Sequence, residues 1–273
     1  DGSNGGLASN YTLTGGTHNF TVNQRAISLS GTRLYDATTN AAASDLSTMA
    51  NLVGSETLTL SGTGSIASAN VSSNKTVTTG TLALADGSNG GLAANYTLSG
   101  GTHQLTVNQR PLIATLARQY DATTTAAGSD LSSFNDLQGG ETLSVSGSGT
   151  VASKDVSSGQ SILIGTLSLQ NGTGLASNYL LNSAALNITK RILNSEGARV
   201  YNGSTVINNS DLNLSNFASN ETITLNSGNG TITSADVETD KNINIGSPGS
   251  GGLTITDGSN GGLASNYTLT GGT

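Results

Sequence analysis

Residues 32–39 read TRLYDATT, and the phrase returns as ARQYDATT at 117–124 and as ARVYNGST at 198–205. Aromatic residues make up only 4% of the chain, so a tyrosine that recurs in one phrase marks a repeat. Tyr35 to Tyr120 is a step of 85 residues and Tyr120 to Tyr201 a step of 81. Arg25, Arg110 and Arg191 keep the same steps, and Glu56, Glu141 and Glu221 nearly so. Solenoid coils repeat every ~20 to 50 residues, so a period near eighty is that of a small domain.

A second phrase ends each period: GGLASNYTL at 5–13, GGLAANYTL at 90–98, TGLASNYLL at 173–181 and GGLASNYTL at 261–269. Its tyrosines are Tyr11, Tyr96, Tyr179 and Tyr267, and with Tyr35, Tyr120 and Tyr201 they account for all 7 in the chain. No tyrosine is left for scattered surface use. We therefore expect all seven in the core, together with Met49, Phe134 and Phe217, which succeed one another at one repeat position. Exchange among bulky apolar side chains preserves volume at a buried site.

The composition points to strands. Gly accounts for 37 of the 273 residues, and Ser, Thr and Asn crowd the remainder, which disfavours helix interiors and supplies turns. The stretches 26–36, 57–71, 75–84, 95–100 and 103–109 alternate apolar residues with Thr, Ser or Asn, the period-2 pattern of a half-buried strand. Asn-Gly pairs at Asn4, Asn89 and Asn260 signal turns between them. The segment 44–56, with Leu46, Met49 and Leu52 or Val53, has the spacing of a short helix or packed loop, and Ser44 is its candidate N-cap.

The expected fold is thus mostly β: a tandem array of β-rich modules of about 80–85 residues, β-grasp-like or sandwich-like, forming an elongated rod of roughly 100 Å. The expected divisions are 1–24, the tail of a preceding module; 25–109, the first repeat; 110–190, the second; and 191–273, a third whose final strand is missing. Residues 1–17 and 257–273 are identical, whereas the copy at 86–102 differs by Ala94 and Ser99. This implies a higher unit of three distinguishable modules in an interior fragment of a longer array. The missing strand is then either trimmed from a continuous chain or accepted from another one.

Several chemistries are disfavoured. The 10 basic and 17 acidic residues give a formal charge of -7 with no basic cluster, so no nucleic-acid surface is expected. No apolar run approaches the ~20 residues of a membrane span. Without cysteine there is neither a disulfide nor a thiolate site. His18 and His103 share one repeat position, taken by Leu186 in the second repeat, and are expected at a strand end on the surface. Asp45, Asp130 and Asp211 recur, and DGSNGG at 86–91 superficially resembles a calcium loop. It offers one carboxylate where calcium takes about six to eight oxygens, so turn and cap roles are expected and no cofactor. Lys75 and Lys241 could serve an isopeptide bond, but Gln160 stands between them in the series.

The phrases TRLYDATT and ARQYDATT, the turns GSETLTL and GGETLSV, the segments IASANVSSNKTV and VASKDVSSGQSI and the closing GLAANYTLSGG with LTVNQR resemble the YDG-type repeat. The third repeat departs from the others by Asn202-Gly203 in place of Asp-Ala and by the loop SPGSGGLTITDGSNGG. The resemblance implies a mostly-β module arrayed in large bacterial surface or secreted adhesins similar to filamentous haemagglutinin, often beside β-grasp-like repeats. It also implies an extracellular location, a role in adhesion or as biofilm scaffold, and no enzymatic activity. The partners so implied are neighbouring repeats of one long chain, other adhesin copies or matrix polysaccharide. The alternatives are a carbohydrate- or matrix-binding module and a head-to-tail polymer completed by strand donation.

Overall fold

Alternating, Gly-punctuated sequence of this kind folds as short strands joined by tight turns, and the computed structural model describes them over residues 1–247 and 249–270. Among the described residues there is no α-helix; the only helical pieces are single 3-10 turns. The chain divides into two compact units, Asp1–Asn108 and Gln109–Thr273. The first contains the opening tail and the first repeat, and the second contains repeats two and three.

In the first unit the strand Ser28–Leu34 lies between the antiparallel strand Thr48–Ala50 and the parallel strand His103–Asn108. The latter also borders Ser72–Thr78, so the first and last strands of the repeat meet at the middle of one sheet. Thr63–Ile66 and Asn40–Ala42 extend the sheet. Leu58–Ser61 pairs separately with Ala83–Asp86. Alternation decides what is buried: along His103–Asn108 the side chains of His103, Leu105 and Val107 face inward, with His103 beside the buried Leu29 of the opening strand.

The second repeat follows the same plan, with Arg110–Gln119 parallel to Tyr179–Thr189 and flanked by Leu131–Phe134 and Ser157–Ser161. The third repeat keeps only part of it. Its opening stretch meets the closing phrase at Arg191–Ile192, parallel to Tyr267–Thr268, and continues as Asn194–Gly197, which pairs with Leu212–Ser215 and with no other described strand. One apolar core runs through both repeats, from Ala114 and Leu116 to Tyr267 and Leu269.

The segment 44–56 is not a helix. Ala43–Asp45 forms one 3-10 turn, after which Thr48–Ala50 becomes an edge strand with Met49 beside Leu29. Ser44 is not the cap; the Asp45 carboxylate accepts the Ala42 N–H at 3.1 Å, and Asp130 and Asp211 do the same for Ala127 and Asn208. Three apolar residues at i, i+3 and i+6 fit an edge strand with a bend as well as a helical turn, and the left-handed Asn51 (φ 74°) ends the strand. Gly31 lets this turn close on the opening strand, because a Cβ there would lie 1.8 Å from the Asp45 carbonyl oxygen.

Tyr35, Tyr96, Tyr120, Tyr179 and Tyr267 are buried. Tyr11 and Tyr201 are not core residues: Tyr11 is 78% and Tyr201 62% exposed. Met49, Phe134 and Phe217 are half-buried, lying at the core margin rather than inside it. Repetition of a phrase conserves a side chain's role, but burial also needs the neighbour that covers it.

The TRLYDATT phrase folds as a tight hook. The Asp36 carboxylate accepts the Thr38 N–H at 2.9 Å and its hydroxyl at 3.0 Å, and pairs with Arg33, whose guanidinium also reaches the Thr38 carbonyl. Asp121, Thr123 and Arg118 repeat the arrangement. The hook forces the next residue into the left-handed region: Ala37 at φ 62° and Ala122 at φ 64°, where the third repeat has Gly203 at φ 71°. An L-residue there costs about 1–2 kcal/mol, partly offset by the entropy of glycine. Ala37→Gly should therefore stabilise the first unit by about 0.5–1 kcal/mol, read as a rise of a few degrees in its melting temperature.

Candidate functional site

One polar arrangement recurs in every repeat, built on the tyrosine of the closing phrase. Each such tyrosine follows a 3-10 turn, Ala93–Asn95, Ala176–Asn178 or Ala264–Asn266. The turn is held by the residue seven or five positions earlier: Asp86 accepts the Ala93 N–H at 2.7 Å, Asn171 that of Ala176 at 2.8 Å and Asp257 that of Ala264 at 2.7 Å. The aspartate of DGSNGG thus caps a turn. Among the described residues no three acidic or histidine side chains converge as a metal site would require.

From this turn the tyrosine hydroxyl enters a tight loop and bridges it. The Tyr96 hydroxyl accepts the Val53 N–H at 3.0 Å and donates to Glu56. The Tyr179 hydroxyl accepts the Gln138 N–H at 3.1 Å and donates to Glu141 at 2.6 Å. The Tyr267 hydroxyl accepts the Ala218 N–H at 3.1 Å and donates to Glu221 at 2.7 Å. Burial, then the bond to the carboxylate, pushes Tyr179 and Tyr267 up to about 12. Tyr96 is raised too, first by its bond to Glu56.

In the second unit this bridge becomes a junction between repeats. The hydroxyl of the fully buried Tyr120, from the hook of the second repeat, donates to Glu221 of the third at 2.7 Å. Lys154 pairs with the same carboxylate and lies 5.7 Å from the centre of the Tyr120 ring. The rings of Tyr120 and Tyr267 meet edge to face at 5.4 Å, and Phe217 packs edge-on to Tyr267 at 6.5 Å. Burial alone would raise Glu221, but the bonds from Lys154, Tyr120 and Tyr267 outweigh it and hold the carboxyl below its ordinary value. Lys154 is raised by the same pairing.

A second contact crosses the same boundary. The buried Asn266 accepts the Val156 N–H at 3.0 Å and donates to Asp155 at 2.8 Å. What this arrangement does chemically is fasten: a buried charge with three donors has no open position for a reacting molecule.

The Glu–Tyr pairing was visible in the sequence only as two recurrences in step, Glu56, Glu141 and Glu221 with Tyr96, Tyr179 and Tyr267. The junction role of Tyr120 and Lys154 had no signal, since Ala69 and Ala235 stand at the lysine's position elsewhere. Of the histidines, His103 is buried rather than superficial. Its Nδ1 accepts the Leu29 N–H at 3.3 Å and its Nε2 donates to the Leu98 carbonyl at 2.9 Å, fastening the last strand to the first. The residue that occupies its place beside the opening strand of the second repeat is Ala184, not Leu186. His18 is exposed, with Nε2 2.5 Å from the Leu13 carbonyl. Lys75 and Lys241 donate to the carbonyls of Ser68 and Ser234 at 3.0 and 2.9 Å, and so act as loop ties.

A shallow depression in the first unit is lined by Ser30, Thr32, Thr48, Asn74, Gln104 and Thr106. It contains no aromatic surface on which a sugar ring could stack.

A search of curated proteins and a search of solved structures found no match to this chain. The family model described as the YDG domain matches three times, over residues 17–104, 102–187 and 185–273. The second match begins at the strand His103–Asn108, which is the middle strand of the sheet built by the first. With nearly the whole sequence matched in three successive copies and one Glu–Tyr bridge in each, the chain belongs to the YDG domain family.

Proposed function

We propose that this chain is a structural spacer: stalk repeats of a bacterial adhesin or fibre outside the cell, supporting adhesion or biofilm cohesion and carrying no catalytic site. The observation that supports this reading most is the Tyr120–Glu221 junction, in which the recurring polar side chains bind one repeat to the next. A buried ionic contact of this kind favours one relative arrangement of two modules, which suits a part whose work is to hold distance. Extracellular location and adhesin context follow from the resemblance of the repeats rather than from any group in the chain.

The competing function is recognition of a sugar or matrix polysaccharide. Presented to a glycan and matrix-polysaccharide array, the 273-residue chain should bind nothing above background. Binding that disappears on substitution of Asn74 or Gln104, in the polar depression, would replace the spacer reading with a lectin-like one.

A further inference from the structure

The first and last strands of the second repeat are neighbours. Arg110–Gln119 runs parallel to Tyr179–Thr189, in a register that begins with Arg110 beside Tyr179 and ends with Gln119 beside Thr189. Because the pair is parallel, the chain enters the repeat at one end of it and leaves at the other. Gln109 precedes Arg110 and Lys190 follows Thr189, so a chain under tension draws the two strands in opposite directions along their own axes. Every bond between them is then loaded at once. In an antiparallel pair joined by a hairpin, entry and exit lie side by side, and tension opens the bonds one after another.

The surroundings protect those bonds. Leu131–Phe134 and Ser157–Ser161 flank the pair, so neither strand presents an edge to water. On the inner face Leu112, Ala114, Leu116, Ala184, Leu186 and Ile188 are buried. Water, which would take the place of a stretched hydrogen bond, has no approach from that side. Both ends carry further ties. At the entry the Gln109 side-chain amide donates to the carbonyls of Ser177 and Tyr179 at 3.2 and 3.0 Å. At the exit the Tyr120 N–H donates to the Thr189 carbonyl at 2.9 Å, and the Thr189 hydroxyl to the Arg118 carbonyl at 3.3 Å. The first repeat has the same arrangement, with Ser28–Leu34 parallel to His103–Asn108 and the Tyr35 N–H donating to the Asn108 carbonyl at 2.9 Å.

We propose that this strand pair is a mechanical clamp, by which a repeat bears tension along the chain without unfolding. The clamp acts through kinetics rather than equilibrium stability: forced unfolding is governed by the barrier to rupture, and that barrier rises when many bonds must break together. A small repeat of modest stability can thus hold under load. The exit end of the clamp is also where the next repeat begins. Lys190 alone separates Thr189 from Arg191, whose guanidinium donates to the Tyr120 carbonyl at 3.4 Å. The proposal rests on the spacer reading for its setting and deepens it by naming the load that the repeats carry.

The test pulls the 273-residue chain in two directions by single-molecule force spectroscopy. The chain has no cysteine, so two introduced ones are its only handles. Asn108→Cys with Lys190→Cys spans the second repeat and loads the clamp in shear. Thr124→Cys with Lys190→Cys places both handles at the exit end, because Thr124 lies in the hook that follows Gln119, and peels the same two strands apart from there. All three positions are exposed, so the handles leave the core as it is. The unfolding force in shear is expected to be severalfold higher than in peeling, and to end in a single rupture. Equal forces in the two directions, or a higher force in peeling, would overturn the proposal. So would a shear record in which the strands part in small successive steps. Each of these results leaves the glycan-array test of the spacer reading untouched, and glycan binding in that test leaves the clamp standing.

Discussion

Replacing Glu221 by Ala is expected to destabilise the second unit by about 3–5 kcal/mol, the range for removing one partner of a buried charged network. The substitution leaves the hydroxyl of Tyr120 without its acceptor and the Lys154 ammonium without its counter-ion, and takes from Tyr267 the group to which it donates. Glu221→Gln keeps the shape and one acceptor oxygen, and should cost less, about 1–3 kcal/mol. Glu56→Ala, at a half-buried site with its tyrosine bridge, should fall nearer 1–2 kcal/mol. Urea unfolding monitored by tyrosine fluorescence gives all three values, and near-equal losses at Glu221 and Glu56 would contradict the junction role. Acid reaches the same group. Its folded pKa lies below the ordinary value near 4.5, so its stabilisation is present above that value and is lost as pH falls through the lowered pKa. Alkali acts on Tyr267, whose pKa is raised to about 12. Its contribution is present below about 10, the unfolded value, and is lost as pH climbs from there through about 12.

Tyr120→Ala should cost about 3–5 kcal/mol, as a fully buried aromatic truncation that also removes an edge-to-face ring contact and a charge-assisted hydrogen bond. Tyr201→Ala, in the same phrase one repeat later, should change the stability of the isolated chain by less than about 0.5 kcal/mol, because its ring is exposed. Tyr120→Phe separates the ring from the hydroxyl and should recover most of the loss, leaving about 1–3 kcal/mol for the bond to Glu221. Thermal melts of the three variants decide the matter: equal effects at Tyr120 and Tyr201 would mean that the phrase is held by its own repeat rather than by the following one.

Much of the fold could be read from the chain because strands and turns are set locally. Alternation along 103–109 placed Leu105 and Val107 on one face, and the Gly-rich breaks marked where strands end; His103, expected on the surface, joins them inside because its ring bonds the Leu29 N–H and the Leu98 carbonyl. Segment 44–56 left a short helix and a packed loop both open, because a few apolar residues three apart carry no information on whether the backbone coils or bends. The Glu–Tyr bridge left a trace as two residue types recurring in step, but nothing local tied Glu56 to Tyr96, which lie forty residues apart and meet only when the loop folds over the turn.

The sequence alone determined the repeat, its length, the strand-rich class and the phrase that seeds each hook, since these follow from periodicity and turn chemistry carried by neighbouring residues. Which tyrosines are buried was decided only in three dimensions. Tyr120 and Tyr201 stand in equivalent phrases, yet one is fully buried and the other exposed, because burial is a property of the surface that arrives to cover a side chain. For Tyr120 that surface comes from the following repeat, with Glu221, 101 residues further along the chain, and Tyr267 beyond it.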